Sequence, residues 1–156
     1  MFGAGAPGDV PLRRNPPITS GDIQKILDEV PGLNDFGIGV FRDAKRTPEE
    51  RAARLEKGKR ALLKSAQQCT KCCEWLRDLE RTTTVNPEAN SYALRRVAEL
   101  DIGYITHGVL IVSAIHSGFA YQLASDGASV DFGISTQSIT AIKRRQHAEG
   151  KGDWLI

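Results

Sequence analysis

The sequence predicts an α+β domain: a long amphipathic helix packed against a helix-turn-helix that leads into a β-hairpin, a winged-helix-like unit. Three observations carry this. Residues 105–115 are the most apolar run of the chain, with Val109, Leu110, Ile111, Val112, Ala114 and Ile115 close together; that is the composition of a helix enclosed on most sides. Beyond it, Phe119, Tyr121 and Leu123 recur at every second position, as do Val130, Phe132 and Ile134, with Ser125-Asp126-Gly127 between the two sets. Period-two patterns joined by such a turn make an antiparallel hairpin. Finally, Leu62, Ala66, Cys69, Cys73 and Leu76 fall at alternating spacings of four and three, the seam of a helix lying along another element.

Taken in order, residues 1–18 hold four prolines and three glycines without periodicity, which reads as a flexible arm. Thr19-Ser20 offers a helix cap, Ile23, Ile26, Leu27 and Val30 follow at helical spacing, and Pro31-Gly32 stops the helix. Phe36, Ile38 and Val40 alternate, predicting one short strand weakened by Gly37 and Gly39. Thr47-Pro48-Glu49-Glu50 combines a hydroxyl cap, proline at the first helical position and glutamate at the third. From there to about Arg81 only Gly58 interrupts a single predicted helix, roughly 50 Å long at 1.5 Å per residue. Its first half is mostly charged and is expected to project from the core or meet a partner. Thr82 to Val85 is β-prone, and Asn86-Pro87 is expected to end that strand. Residues 91–101 form the next helix; Thr106 caps the apolar one, and Gly118 terminates it in a left-handed conformation. Ile139 and Ile142 suggest a last short helix fading into Lys143-Arg144-Arg145. The expected organisation is an arm at 1–18, a single domain at 19–142 and a basic, partly flexible tail at 143–156.

Forty per cent hydrophobic and 26% charged residues in 156 provide for one domain with a sizeable core. No run approaches the roughly 18 apolar residues that span a bilayer, and the first residues lack the pattern of a secretory signal. Three clustered cysteines do not make a disulfide framework, so a reducing cytoplasm is the expected setting. The net charge of +2 is uneven: residues 47–81 carry +3, residues 82–134 carry −3 and residues 135–156 carry +2.

That asymmetry bears on the candidate sites. A winged helix-turn-helix would read DNA with residues 106–117, yet these contain no Arg, Lys, Asn or Gln to reach base edges. The unit is also the acidic part of a chain that would have to attract phosphates. The apolar helix is therefore expected to be core, and a macromolecular partner or nucleic acid to meet Arg95, Arg96, Lys143, Arg144, Arg145 or the basic helix at Lys57, Lys59 and Arg60. Cys69-x-x-Cys72-Cys73 lacks the second ligand pair of a zinc site, and on a helix it shares the packing seam, so the cysteines are expected to be structural. Neither metal nor cofactor is expected. His107, His116 and His147 show no accompanying nucleophile and carboxylate in sequence. Gly3 to Gly8 lacks the Gly-Lys-Ser/Thr ending of a phosphate loop, and two Asp-Phe-Gly triplets, at residues 35 and 131, stand without the other pieces of a kinase. No catalytic residue is assigned.

Cys72-Cys73-Glu74-Trp75-Leu76, Ser91-Tyr92-Ala93-Leu94, Tyr104-Ile105-Thr106-His107-Gly108, Gly118-Phe119 and Phe132-Gly133-Ile134-Ser135 together resemble a group of small proteins carried by bacterial phages, plasmids and integrative elements. The likeness covers roughly residues 60–140. It departs at Ala93, Arg95 and Arg96, where the group has Ser-Tyr-Gly-Leu-Lys-His, and at His107, where it has Asn. The resemblance implies a mobile-element setting. The expectation is then a non-enzymatic accessory protein that binds a macromolecular partner, a host or element-encoded protein complex being favoured over nucleic acid. An inhibitor of a host defence complex, of the anti-CRISPR kind, fits that setting. The alternative is a winged-helix-like nucleic-acid-binding regulator. The sparse apolar residues between Arg51 and Arg60 argue for a monomer or a weak dimer.

Overall fold

In the computed structural model of the chain, residues 17–39 and 45–154 are described; the expected arm up to residue 16, and Val40 of the expected strand, lie outside them. Among the described residues the architecture is α+β, with six helices and two small antiparallel sheets. The N-terminal boundary of the domain comes slightly earlier than expected: Ile18 is buried, and its N–H donates to Thr70 Oγ1 at 3.1 Å.

Helix α1 (Ser20–Glu29) begins at Thr19, whose side chain accepts from Asp22 N while Asp22 returns a bond to the Thr19 backbone. This reciprocal cap satisfies two donors that the first turn would otherwise leave open. Ile23, Ile26 and Leu27 face the core. The next segment is two strands rather than one: β1 (Leu33–Asn34) and β2 (Gly37–Ile38) form a minimal hairpin with Phe36 at its turn.

The single long helix expected at 47–81 is instead two, α2 (Pro48–Leu63) and α3 (Ala66–Leu76). The break is at Lys64-Ser65, not at Gly58. Ser65 Oγ turns back to donate to Ala61 O at 3.0 Å, and the Ser65 N–H bonds to Leu62 O. A serine bonded to the previous turn competes with the helical ladder and bends it. The apolar seam survives the bend: Leu62, Cys69, Cys73 and Leu76 are all buried.

Strand β3 (Arg81–Asn90) runs on past Asn86-Pro87, where the sequence predicts its end. The sheet order β3-β5-β4 makes it an edge strand, where a proline without an N–H costs no ladder bond. Only Arg81, Asn86 and Asn90 align with Ile134, Phe132 and Asp131, with irregularities between. Asn86 Nδ2 holds the strand by donating to Ile134 O at 2.8 Å. Asn90 then caps α4 (Ser91–Ile102) by accepting from Tyr92 N, and Thr106 caps α5 (His107–His116) by accepting from Val109 N. Both helices sit where the sequence placed them. Beyond α5, Gly118 adopts φ 88°, the left-handed end its position predicts.

The expected hairpin is also present, as β4 (Tyr121–Leu123) and β5 (Val130–Ile134). Val130, Phe132 and Ile134 are buried as their alternation requires. Tyr121 and Leu123 are exposed, because β4 is the outer strand and overhangs the core. Helix α6 (Thr136–Ala148) continues straight through the basic run that was expected to begin the tail. Among the described residues no single helix is long and apolar enough to cross a membrane; α4 and α5 reach that length only as a pair, bent by 95°.

Candidate binding surface

The helix–helix–hairpin order expected from sequence exists, but α5 has no free face. Its residues from His107 to Ala114 are all buried, against α1, α3, α4 and β2. A recognition helix must present side chains to a groove, and this one is enclosed by its own domain.

The basic residues singled out from sequence are divided among several tasks. Arg145 pairs with Asp101 at 2.6 Å and Glu149 at 3.0 Å. Lys143 lies 4.7 Å above the Trp154 ring. Arg95 is 3.5 Å from Glu99 and stacks over Tyr104, and Lys59 is 3.9 Å from Glu56. Arg96, Arg144, Lys57 and Arg60 are exposed. Asp101 is the most engaged of the acids: its carboxylate also accepts from Trp75 Nε1 at 2.8 Å, Gln146 Nε2 at 3.0 Å and Lys151 Nζ at 3.3 Å. Burial pushes its pKa up, but the Arg145, Trp75, Gln146 and Lys151 donors outweigh that and hold it well below the usual carboxylate range. This cluster joins α3, α4, α6 and the segment after it.

Cys69, Cys72 and Cys73 are free thiols in the interior. Burial pushes Cys69 up to about 12 and raises the other two as well, so they persist as thiols packed among apolar side chains. Among the described residues no group of three or more His, Cys, Asp or Glu is placed to hold a metal ion.

What the sequence did not reveal is the machinery around Phe36. The fully buried Asn34 sits inside the β1–β2 hairpin with its Nδ2 pointing at the carbonyls of Gly32, Gly37 and Gly39, at 3.0, 3.3 and 2.8 Å. Its Oδ1 accepts from Phe36 N at 3.0 Å. Asp35 fixes the hairpin from outside: its N–H donates to Gly58 O in α2, its C=O accepts from Gly108 N in α5, and its Oδ1 accepts from Thr106 Oγ1 at 2.6 Å. These contacts require the absence of side chains. A Cβ on Gly108 would overlap the Asn34 carbonyl, and one on Gly58 would lie 2.6 Å from Asn34 Oδ1.

Behind the hairpin lies a buried polar pair. Ser91 Oγ and His107 Nε2 are 2.6 Å apart, and His107 Nδ1 is 3.3 Å from Phe36 O. A carbonyl can only accept, so Nδ1 carries the proton and Nε2 accepts from the Ser91 hydroxyl. Ser91 Oγ in turn accepts from Val130 N at 3.0 Å. Burial lowers the His107 pKa to about 4, which keeps the ring neutral. Tyr92 covers it, stacked at 3.9 Å between ring centroids.

The result is a cleft of about 1000 Å³ between α2 and the β4–β5 turn. Phe36, 70% exposed, and Tyr92, 43% exposed, stand on one side, with Arg51, Arg54 and Leu55 of α2 opposite. The signal for this surface in the sequence was Asn34-Asp35 before an aromatic followed by Gly37 and Gly39, a turn with an exposed tip. No family model, no curated protein and no solved structure matches this chain.

Proposed function

We propose that the chain is a non-enzymatic binding protein that engages a macromolecular partner, with Phe36 as the anchor. The observation that carries this reading is a 70% exposed phenylalanine on a hairpin whose backbone is tied to α2, to α5, to Asn34 and to His107. Aromatic side chains in pockets dominate binding interfaces, and an anchor already fixed before contact loses little entropy on binding. The Ser91–His107 pair supports the non-enzymatic half of the reading. Ser91 is fully buried, and its hydroxyl is spent between His107 and the Val130 N–H, so its oxygen is not offered to a substrate. The resemblance to mobile-element proteins puts a bacterial host complex, such as a defence assembly, first among partner classes. A nucleic-acid regulator is the second reading, favoured only by exposed Arg96, Arg144, Lys57 and Arg60.

The test is a pull-down from bacterial lysate with the tagged full-length chain and with Phe36→Ala, each with and without nuclease. The expected result is a protein recovered in near-stoichiometric amount that survives nuclease and is lost with Phe36→Ala. Recovery indifferent to Phe36, or abolished by nuclease, would overturn the proposal.

A further inference from the structure

We infer that the cleft beside Phe36 takes an extended acidic peptide segment, one carrying an aromatic or leucine side chain next to carboxylates. This inference rests on Phe36 being the anchor of a binding surface and adds the chemistry of the occupant. The cleft offers two kinds of surface. Phe36, Tyr92 and Leu55 present apolar surface, which an apolar side chain would cover. The charge is one-sided. Arg51 and Arg54 line the cleft, and residues 45–60, which include them, carry seven Lys and Arg against three Glu.

The acid on the opposite wall offsets only part of that charge, since the lining holds two arginines against one aspartate. Asp126 Oδ1 accepts from the Ala128 and Ser129 N–H groups at 2.8 and 2.9 Å, and its Oδ2 accepts from Ser129 Oγ at 2.7 Å. Those donors hold its pKa low and use its oxygens within the turn. Arg54, in contrast, is exposed. A guanidinium beside an apolar wall recognises a carboxylate by paired hydrogen bonds while the neighbouring side chain is desolvated. A second copy of this chain is a poor occupant, since a two-fold contact through the cleft would bring α2 arginines toward their own equivalents.

The experiment pans a random 12-residue phage-displayed peptide library on the immobilised full-length chain, with Phe36→Ala as the subtraction target. Synthetic copies of the enriched peptides are then titrated by fluorescence anisotropy against wild type and the Arg51→Glu/Arg54→Glu variant. Circular dichroism checks that both variants are folded. Labelled oligo(dT) of 20 nucleotides is titrated in parallel. The inference expects enriched peptides with Asp or Glu beside Leu, Phe or Trp. Their affinity should fall at least tenfold in the arginine variant, which should instead favour copies with Glu→Lys. Enrichment of basic or uncharged peptides, or indifference to the arginine reversal, would overturn the acidic occupant while leaving Phe36 as an anchor. Binding of oligo(dT) that is lost in both variants, without peptide enrichment, would also overturn it in favour of nucleic acid. No Phe36-dependent binding of any probe would sink this inference and the function it rests on together.

Discussion

Gly58 and His107 show how one residue takes its meaning from a neighbour distant in sequence. Alanine in place of a helical glycine is ordinarily favourable by about 1 kcal/mol. At Gly58 the sign reverses, because the new Cβ would press on Asn34 Oδ1. Gly58→Ala should destabilise the fold by about 1–3 kcal/mol, measured by urea denaturation; a stabilised variant would show that the hairpin yields. His107 makes a pH-dependent contribution. Its pKa falls from 6.5 to about 4 on folding, so the unfolded chain binds its proton first as pH drops. The stability it gives is complete above pH 6.5, shrinks below it and levels off near pH 4. Between pH 7.5 and pH 5 the wild type should lose about 2 kcal/mol relative to His107→Gln, read from denaturation midpoints. An identical pH dependence in both would remove His107 from the account. Nothing in a linear sequence pairs Asn34 with Gly58 or Ser91 with His107. A glycine in a basic helix reads as a weak spot, and a histidine after a cap carries no sign of its partner, until the residue that fills the space is known.

Elements whose limits are set by local chemistry were legible. Thr19 with Asp22 and Thr106 each cap a helix from their own side chains, and Val130, Phe132 and Ile134 bury one face by alternation alone. Elements decided by a choice between competing partners or by contacts across the fold were not. Helix 47–81 breaks at Ser65, whose hydroxyl chooses the Ala61 carbonyl over solvent, and serine carries no obligatory break signal. Strand β3 passes Pro87 because β5 lies on its other side. Helix α6 outruns its apolar pattern because Asp101 on α4 receives Arg145 and Gln146. That last contact is testable. Asp101→Asn keeps the shape but removes the charge that Arg145 and Lys151 share, which should cost about 1–3 kcal/mol. Tryptic cleavage after Lys143, Arg144 or Arg145 should become several-fold faster under native conditions. An unchanged cleavage rate would mean that α6 is held by Ile139 and Ile142 alone.

For the molecule as a whole, the α+β class and the buried apolar helix were legible, whereas the binding surface was not, since it is assembled from α2, the β1–β2 hairpin and the β4–β5 turn. The packing seam sets what the chain can tolerate. Leu76 is fully buried, so Leu76→Asp would place an unpaired carboxylate in the core. That variant should unfold, seen as loss of the cooperative thermal transition; a tight dimer by light scattering that Leu76→Asp turns into a folded monomer would place the seam between subunits. The sheet order has a consequence for biosynthesis. Strand β5 lies between β3 and β4 although it comes last of the three, and Arg81 must wait for Ile134, with two helices made in between. A chain emerging from the ribosome therefore completes α4 and α5 while β3 still lacks its neighbour. Closing so long a loop is slow, and until it closes, an unsatisfied strand edge stands open to any nascent chain nearby. A truncation that stops short of Val130 would make that interval permanent and leave an aggregation-prone fragment.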